Sequence, residues 1–255
     1  LAANNSSAGG NQVTHSSLAA LRGEPSYVWR AGQERRLQMI ARYARLEGAR
    51  VLEAGGGVGM YASQIRRRYT PHVDCFDIEL ERSLEAREEV PNAIVAAAEH
   101  LPYRTGEFDT IISHEVLEHV NDDRAAAHEM VRVLKPGGRI VVFVPNRWYP
   151  FETHGHYWKG EYHFGNTPLI NYLPTRYRDK LAPHVRAYTR RSLLALFEGT
   201  PGRLMHHERI YGGYDNIIAR LGRPAKIMRD ALYRLEGTLL DTYGLSHLLV
   251  IEKMQ

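Results

Sequence analysis

At 255 residues, with 44% hydrophobic and 24% charged, the chain is close to globular averages and long enough for one large α/β domain with insertions, or at a stretch two small ones. A lone cysteine, Cys75, excludes an internal disulfide framework or multi-cysteine zinc cluster and favours a cytoplasmic setting, and no apolar run approaches the ~20 residues of a membrane-spanning helix. The net charge of +4 is concentrated beyond residue 146, where 16 Lys and Arg face 10 Asp and Glu; a solvated surface explains such a surplus most simply, an anionic substrate or a membrane surface more sharply.

The opening LAANNSSAGGNQ is polar, rich in small residues and without the basic and apolar blocks of a signal peptide, so residues 1–26 are expected to be a flexible tail and 27–255 a single domain. The absence of an initiator Met leaves room for an upstream piece. Residues 33–46 place Leu37, Ile40, Ala41 and Ala44 at helical spacing. RVLEAG then reads as a first strand, GMYASQIRRRY as a helix, HVDCFDI as a second strand and LERSLEAREE as a helix stopped by Pro91. NAIVAA is a third strand, FDTIISH a fourth, DRAAAHEMVRVLK a helix closed by the turn Pro136-Gly137-Gly138, and RIVVFVP a fifth strand. Strand and helix taking turns at this spacing predict a mostly parallel sheet with helices on both faces, whose ligands bind beyond the carboxyl ends of the strands.

Residues 147–188 break the alternation. They hold ten of the 24 aromatic residues, together with His154, His156, His163 and His184, and are expected to form a cap inserted after the fifth strand. Thr189 then caps the helix RRSLLALFEG, which Gly199 ends, and RLMHHERIY is a sixth strand. Residues 214–244 read as a helical insertion before the last strand, SHLLVIEK.

Four glycines crowd positions 55–59, directly after the first strand. Gly57 to Ala62 fits G-x-G-x-x-A and Asp77 lies 20 residues beyond Gly57, as in a dinucleotide-binding fold. Glu53 argues otherwise: a carboxylate at the strand end repels phosphates and suits a ligand carrying an ammonium group. S-adenosylmethionine is such a ligand, having no phosphate and bearing both an amino group and a sulfonium.

Glu53-Ala54-Gly55-Gly56-Gly57-Val58-Gly59 resembles the glycine-rich first motif of class I S-adenosylmethionine-dependent methyltransferases. AEHLPYRTGEFDTIISHEVLEHV at 98–120 and RVLKPGGRIVVFVPN at 132–146 resemble later motifs of the same family, in order. The resemblance implies a Rossmann-like, seven-stranded, mostly parallel α/β sheet with S-adenosyl-L-methionine as cofactor. Carried onto this chain, Gly55, Gly56, Gly57 and Gly59 would let the turn pass close under the cofactor, Glu53 would lie near its ammonium, Asp77 would accept from the ribose hydroxyls and Ile78 would pack on the adenine. The family's usual acid after the third strand is here Ala97, leaving Ala98 backbone groups and Glu99 to read the adenine; Ser113 and His114 would border the methionine moiety.

The segment HEVLEH does not make a zinc-protease helix, because His114 and His119 are five residues apart with Glu118 at the required histidine position. A metal triad of His154, His156 and His163 lacks an acidic partner at a diagnostic spacing, so no metal is expected. His119 and His154 are the candidates for a base that takes the acceptor's proton. The acceptor expected is a small molecule, methylated at an oxygen of an aromatic, quinone-like or polyketide-like compound; a glycan, lipid or tRNA base is the alternative. Arg176, Arg178, Lys180, Arg186, Arg190 and Arg191 are placed to attract an anionic group or lipid surface, while no RNA-binding module is recognisable. A non-catalytic scaffold and a nicotinamide-dependent dehydrogenase are the other readings.

Overall fold

Val51 and Leu52, Ile111 and Ile112, Val141 and Val142, and Leu248 and Leu249 are neighbours in the chain, and in the computed structural model, which describes residues 27–255, each pair divides between two cores. Successive residues of a strand face opposite sides, so a sheet covered on both faces requires continuous apolar runs rather than alternation. Leu52, Ile111, Val142 and Leu249 meet Phe108 and Met130 on one side; Val51, Ile112, Val141 and Leu248 meet Leu37, Ile40 and Ile65 on the other. The expected tail, residues 1–26, lies outside the described residues.

In chain order the first half runs α1 (Ala31–Tyr43), β1 (Val51–Ala54), α2 (Met60–Arg68), β2 (Val73–Asp77), α3 (Leu80–Ala86), β3 (Asn92–Val95), β4 (Phe108–His114), α4 (Asp123–Val133) and β5 (Leu134–Pro145). Local signals set the boundaries. The Gln33 side chain accepts from the Arg30 amide at 2.8 Å where α1 begins, and Asp122 accepts from the Ala125 amide at 2.9 Å to cap α4. That helix buries Ala126, Ala127, Met130, Val131 and Val133 and ends two residues before the expected Lys135. The turn at 136–138 is absorbed into the start of β5, where the register with β4 slips between Phe108 and Thr110, which face Leu134 and Arg139. Gly138 is required there: a Cβ would stand 2.8 Å from the Asp109 carbonyl oxygen.

The second half continues with β6 (Phe151–Glu152), β7 (His156–Trp158), β8 (Glu161–His163), β9 (Thr167–Pro168), α5 (Thr175–Leu181), α6 (Arg190–Ala195), β10 (Gly202–Ile210), α7 (Asp215–Leu221), α8 (Arg223–Tyr233) and β11 (Ser246–Lys253). The main sheet has seven strands in the order β3-β2-β1-β4-β5-β11-β10. The first five are parallel, whereas β11 is antiparallel both to β5 and to β10. A dinucleotide-binding sheet continues 3-2-1-4-5-6 in parallel, so the two folds part company at the sixth position.

The segment 147–188 is not an irregular loop. It folds into two antiparallel pairs, β6 with β9 and β7 with β8, followed by a 3-10 turn and α5. Its ends are zipped to one point of the sheet, the Arg147 amide donating to Tyr188 at 2.8 Å and the Tyr188 amide to Pro145 at 2.9 Å. Inside it Arg178 and Glu152, each with a side chain 3% exposed, pair at 2.8 Å, and Arg178 also donates to the Val185 carbonyl at 2.7 Å. This removes Arg178 from the six basic residues placed to attract an anionic group or lipid surface. Arg178 is internal, and Arg186 donates to the carbonyls of Val120 and Asn121.

Candidate active site

A cleft of about 990 Å³ opens at the carboxyl ends of β1, β2 and β4 and is roofed by residues between 153 and 186. That size accommodates a nucleoside-bearing ligand together with a second small molecule. Of the sequence-derived candidates, Glu53, Gly55, Gly56, Gly57, Asp77, Ile78, Ala98, Glu99, His114, His119 and His154 all line it. Ser113 does not: it is fully buried behind them.

The glycines divide by what surrounds them. A Cβ on Gly55 would meet Val116 Cγ2 at 2.5 Å, and one on Gly59 would meet the Ala86 side chain at 3.2 Å, so these two admit protein neighbours. A Cβ on Gly56 would press on Cys75 and on Glu53 Oε2, both at 3.2 Å. Only Gly57, at φ +54°, faces open space among the three that take positive φ in this turn. The sequence-based expectation that every absent Cβ makes room for a ligand therefore applies to one position; the others serve the packing that shapes the turn.

Asp77 holds that turn from beneath. Its Oδ2 accepts from the Gly57 amide and its Oδ1 from the Glu79 amide, both at 2.9 Å. An ionised carboxylate has about four acceptor sites, so each oxygen keeps capacity for a ligand hydroxyl. Ile78, 48% exposed, presents an apolar side chain at the cleft beside it. Glu53 is buried and its Oε2 accepts from the Ala62 amide at 2.7 Å; burial, with the Asp77 charge adding, pushes its carboxyl up to about 8. Glu99 is engaged in fold maintenance, its Oε1 accepting from the amides of Asn121 at 2.8 Å and Asp122 at 3.2 Å.

At the other end of the cleft four elements converge. His114 closes β4 against Tyr61 and Phe143 and takes a hydrogen bond from Arg36 of α1; burial, then Arg36, pushes this imidazole down to about 3. Glu115 stands at φ +56° with Arg36 at 3.5 Å and the Ser246 hydroxyl at 3.3 Å. Burial opposes its ionisation, yet Arg36 and the neighbouring imidazoles hold it down at about 2. Glu118, 1% exposed, has no hydrogen-bond partner of good geometry for either carboxyl oxygen among the described residues, and burial together with the Glu115 charge drives it well above the usual carboxylate range.

His119 and His154 face each other with ring centroids 5.3 Å apart. The His119 Nδ1 lies 3.2 Å from the His184 carbonyl oxygen, which fixes the proton on Nδ1 and leaves Nε2 as the lone pair. Burial, then His154, pushes His119 down to about 4, so it is neutral near pH 7. His154 Nδ1 is 3.3 Å from Glu152 Oε1, and its Nε2 is 3.8 Å from Glu115 Oε2. His156 and His163 are elsewhere, stacked on each other across β7 and β8. Sequence reasoning missed Arg36, Glu115 and Glu152. Glu115 was in view within HEVLEH, but nothing local marks Arg36 or Glu152 as neighbours of it.

A model of the methyltransferase domain family matches residues 52–142. The ubiquinone biosynthesis O-methyltransferase of Xylella fastidiosa (strain M23) is 35% identical over 119 residues, covering 44% of this chain and 48% of that protein. Methyltransferase GfsG of Streptomyces halstedii is 32% identical over 120 residues, covering 44% and 43%. The chain thus spans about half the length of the curated relatives it matches. Among solved structures, an S-adenosylmethionine dependent methyltransferase from Mesorhizobium loti superposes with a TM-score of 0.62 at 20% identity, covering 87% of this chain and 98% of that one. The [4+2]-cyclase SpnF does so with a TM-score of 0.58 at 17% identity, covering 89% and 83%. Likenesses at such identities show the fold alone.

Proposed function

We propose that the chain is a class I S-adenosylmethionine-dependent methyltransferase that moves the cofactor's methyl group to a hydroxyl oxygen of a small aromatic, quinone-like or polyketide-like molecule; the match of residues 52–142 to the methyltransferase domain and the shared fold support this. One observation carries the reading: a single cleft has a cradle suited to the methyl donor at one end and a buried cluster of carboxylates and imidazoles at the other. In the cradle, Asp77 has spare acceptor sites for ribose hydroxyls, Ile78 offers a face for adenine and Glu53 a partner for the ammonium. Tyr162 and Phe164 add ring surface to the cleft wall for a planar acceptor.

The reaction asks mainly for alignment. The acceptor oxygen attacks the methyl carbon in line, the S–C bond breaks with its pair going to sulfur, the sulfonium becomes a neutral thioether, and the hydroxyl proton must leave. An oxygen acceptor is favoured over carbon or nitrogen by the relatives named as O-methyltransferases. The dehydrogenase alternative loses support from the antiparallel β11, which takes the place of the sixth parallel strand of a dinucleotide sheet.

Calorimetric titration of the folded chain with S-adenosylmethionine, its demethylated product and NADH tests the cofactor assignment: one site for the first two and none for NADH is expected. NADH binding without S-adenosylmethionine binding overturns it. Asp77→Asn should weaken cofactor affinity at least about tenfold, the loss of one charge-assisted hydrogen bond. A screen of phenols, quinols and sugars for release of the demethylated product then tests the acceptor, and turnover on sugars alone replaces the aromatic assignment.

A further inference from the structure

Four side chains at the cap end of the cleft exceed what proton removal requires. Glu118, His119 and His154 each offer one donor atom, and these atoms lie within 4.8 Å of one another. Glu115 adds its Oε2 at 3.8 Å from His154 Nε2. Glu118 is the telling residue: it lines the cleft, it is 1% exposed, and neither oxygen finds a hydrogen-bond partner of good geometry among the described residues. A buried carboxyl group whose oxygens lack partners and border a cleft is one that a bound ligand can complete.

The imidazoles are held as ligands are held. His119 donates its Nδ1–H to the His184 carbonyl, which leaves its Nε2 to face the cluster, and His154 has Glu152 Oε1 3.3 Å from its Nδ1 and turns its Nε2 towards Glu115. A carbonyl or carboxylate behind the ring is the usual outer partner of a metal-bound histidine. Glu152 is in turn clamped by the buried Arg178 at 2.8 Å. Glu115 occupies its place at φ +56°, a conformation that a non-glycine residue keeps only where its surroundings over-determine it.

We propose that Glu115, Glu118, His119 and His154 bind one divalent cation of the zinc, manganese or iron(II) class between the cofactor cradle and the cap. Two imidazoles among the donors argue against magnesium and calcium, which take oxygen. Bonds of about 2.0–2.2 Å keep opposed ligand atoms no more than about 4.4 Å apart, so Glu118, His119 and His154 close on an ion by a few tenths of an ångström, with Glu115 beside His154 as the fourth donor. The role of the ion rests on the methyl-transfer reading. An open coordination position takes the acceptor hydroxyl and lowers its pKa, its proton passes to water in the cleft, and the oxygen pair then attacks the methyl carbon as the S–C pair returns to sulfur. His119 and His154 are then positioned to hold the ion rather than to act as bases.

The test is titration of chelator-stripped protein with Zn²⁺, Mn²⁺ and Mg²⁺ by calorimetry, with Co²⁺ absorption as a probe of nitrogen ligation. One equivalent of Zn²⁺ or Mn²⁺ should bind more tightly than Mg²⁺, and Glu118→Gln and His154→Ala should each weaken it about 10–100-fold. His163→Ala, in the stacked pair elsewhere in the cap, should leave it unchanged. Absence of saturable one-equivalent binding, unchanged affinity in both ligand variants, or loss of binding in His163→Ala overturns the site. S-adenosylmethionine titrated into the same samples separates the two ideas. Cofactor binding without cation binding sinks the cation alone; cation binding without cofactor binding sinks the methyl-transfer reading and leaves the cation site standing.

Discussion

Glu53 shows how burial alters a charge argument. From the sequence it is a carboxylate that repels phosphates; in the fold it is 4% exposed and its carboxyl is pushed up to about 8 by burial, so near pH 7 the empty cradle holds a proton there. A ligand ammonium has to displace that proton to gain the ion pair. Binding below pH 8 therefore releases a proton, and S-adenosylmethionine affinity should tighten as pH rises, by up to about tenfold per unit. The ligand's own amino group titrates near pH ~8, so the curve should peak there rather than climb further. Calorimetry from pH 6 to 9 in buffers of different ionisation enthalpy reads both effects, and Glu53→Gln should flatten the acid limb. A wild-type affinity without pH dependence would remove Glu53 from the ammonium site.

Among the elements, the segment 147–188 depends on one internal ion pair. Arg178 and Glu152 are each 3% exposed, and Glu152 stands behind His154. Removing one partner of such a pair costs about 3–5 kcal/mol because the other charge stays buried alone. Arg178→Ala should therefore loosen residues 147–188, seen as faster amide exchange there, and cut acceptor turnover, while S-adenosylmethionine affinity stays within about twofold because the glycine turn belongs to β1 and α2. Equal exchange in both proteins would show that the cap is held by its other contacts. The sequence marked this segment by aromatic density but gave no sign of its order, since the pairing strands are two or three residues long and the pair spans 26 positions.

Over the whole molecule, the sheet was legible and the convergence was not. Apolar runs, glycine turns and capping residues act within a few positions, which is why β4 and β11 match their sequence-based bounds and α4 misses by two residues. The cluster at one end of the cleft brings Arg36 and His154 to Glu115, Glu118 and His119 of a single short stretch, and no local period encodes the arrival of those two distant residues. The closing strands show a similar long-range dependence. His247 Nε2–H donates to the Tyr188 carbonyl at 2.8 Å, leaving Nδ1 to accept from His207 Nε2 at 2.9 Å. Burial pushes His247 down to about 3, with His207 and Arg209 adding; burial, then Arg190 and Arg209, pushes His207 down to about 4 against the pull of Asp241, with His206 also opposing its charge. Folded-state values below the unfolded one mean that the unfolded chain takes up protons the folded chain refuses. Stability should hold above pH ~6.5 and fall on acidification towards pH 4, by about 1.4 kcal/mol per unit from His247 and less from the more accessible His207. Urea unfolding at pH 7 and pH 5 measures the slope, and the double variant His207→Leu, His247→Leu should lose that part of it.

The segment 147–188 leaves and rejoins the sheet at one spot, where Pro145 and Arg147 meet Tyr188. A lineage can lengthen, shorten or exchange such an excursion without displacing a strand. On the proposed methyl-transfer reading, acceptor preference is then free to diverge in this excursion while the glycine turn stays fixed, and swapping the excursion between relatives is the natural route to redirecting that activity.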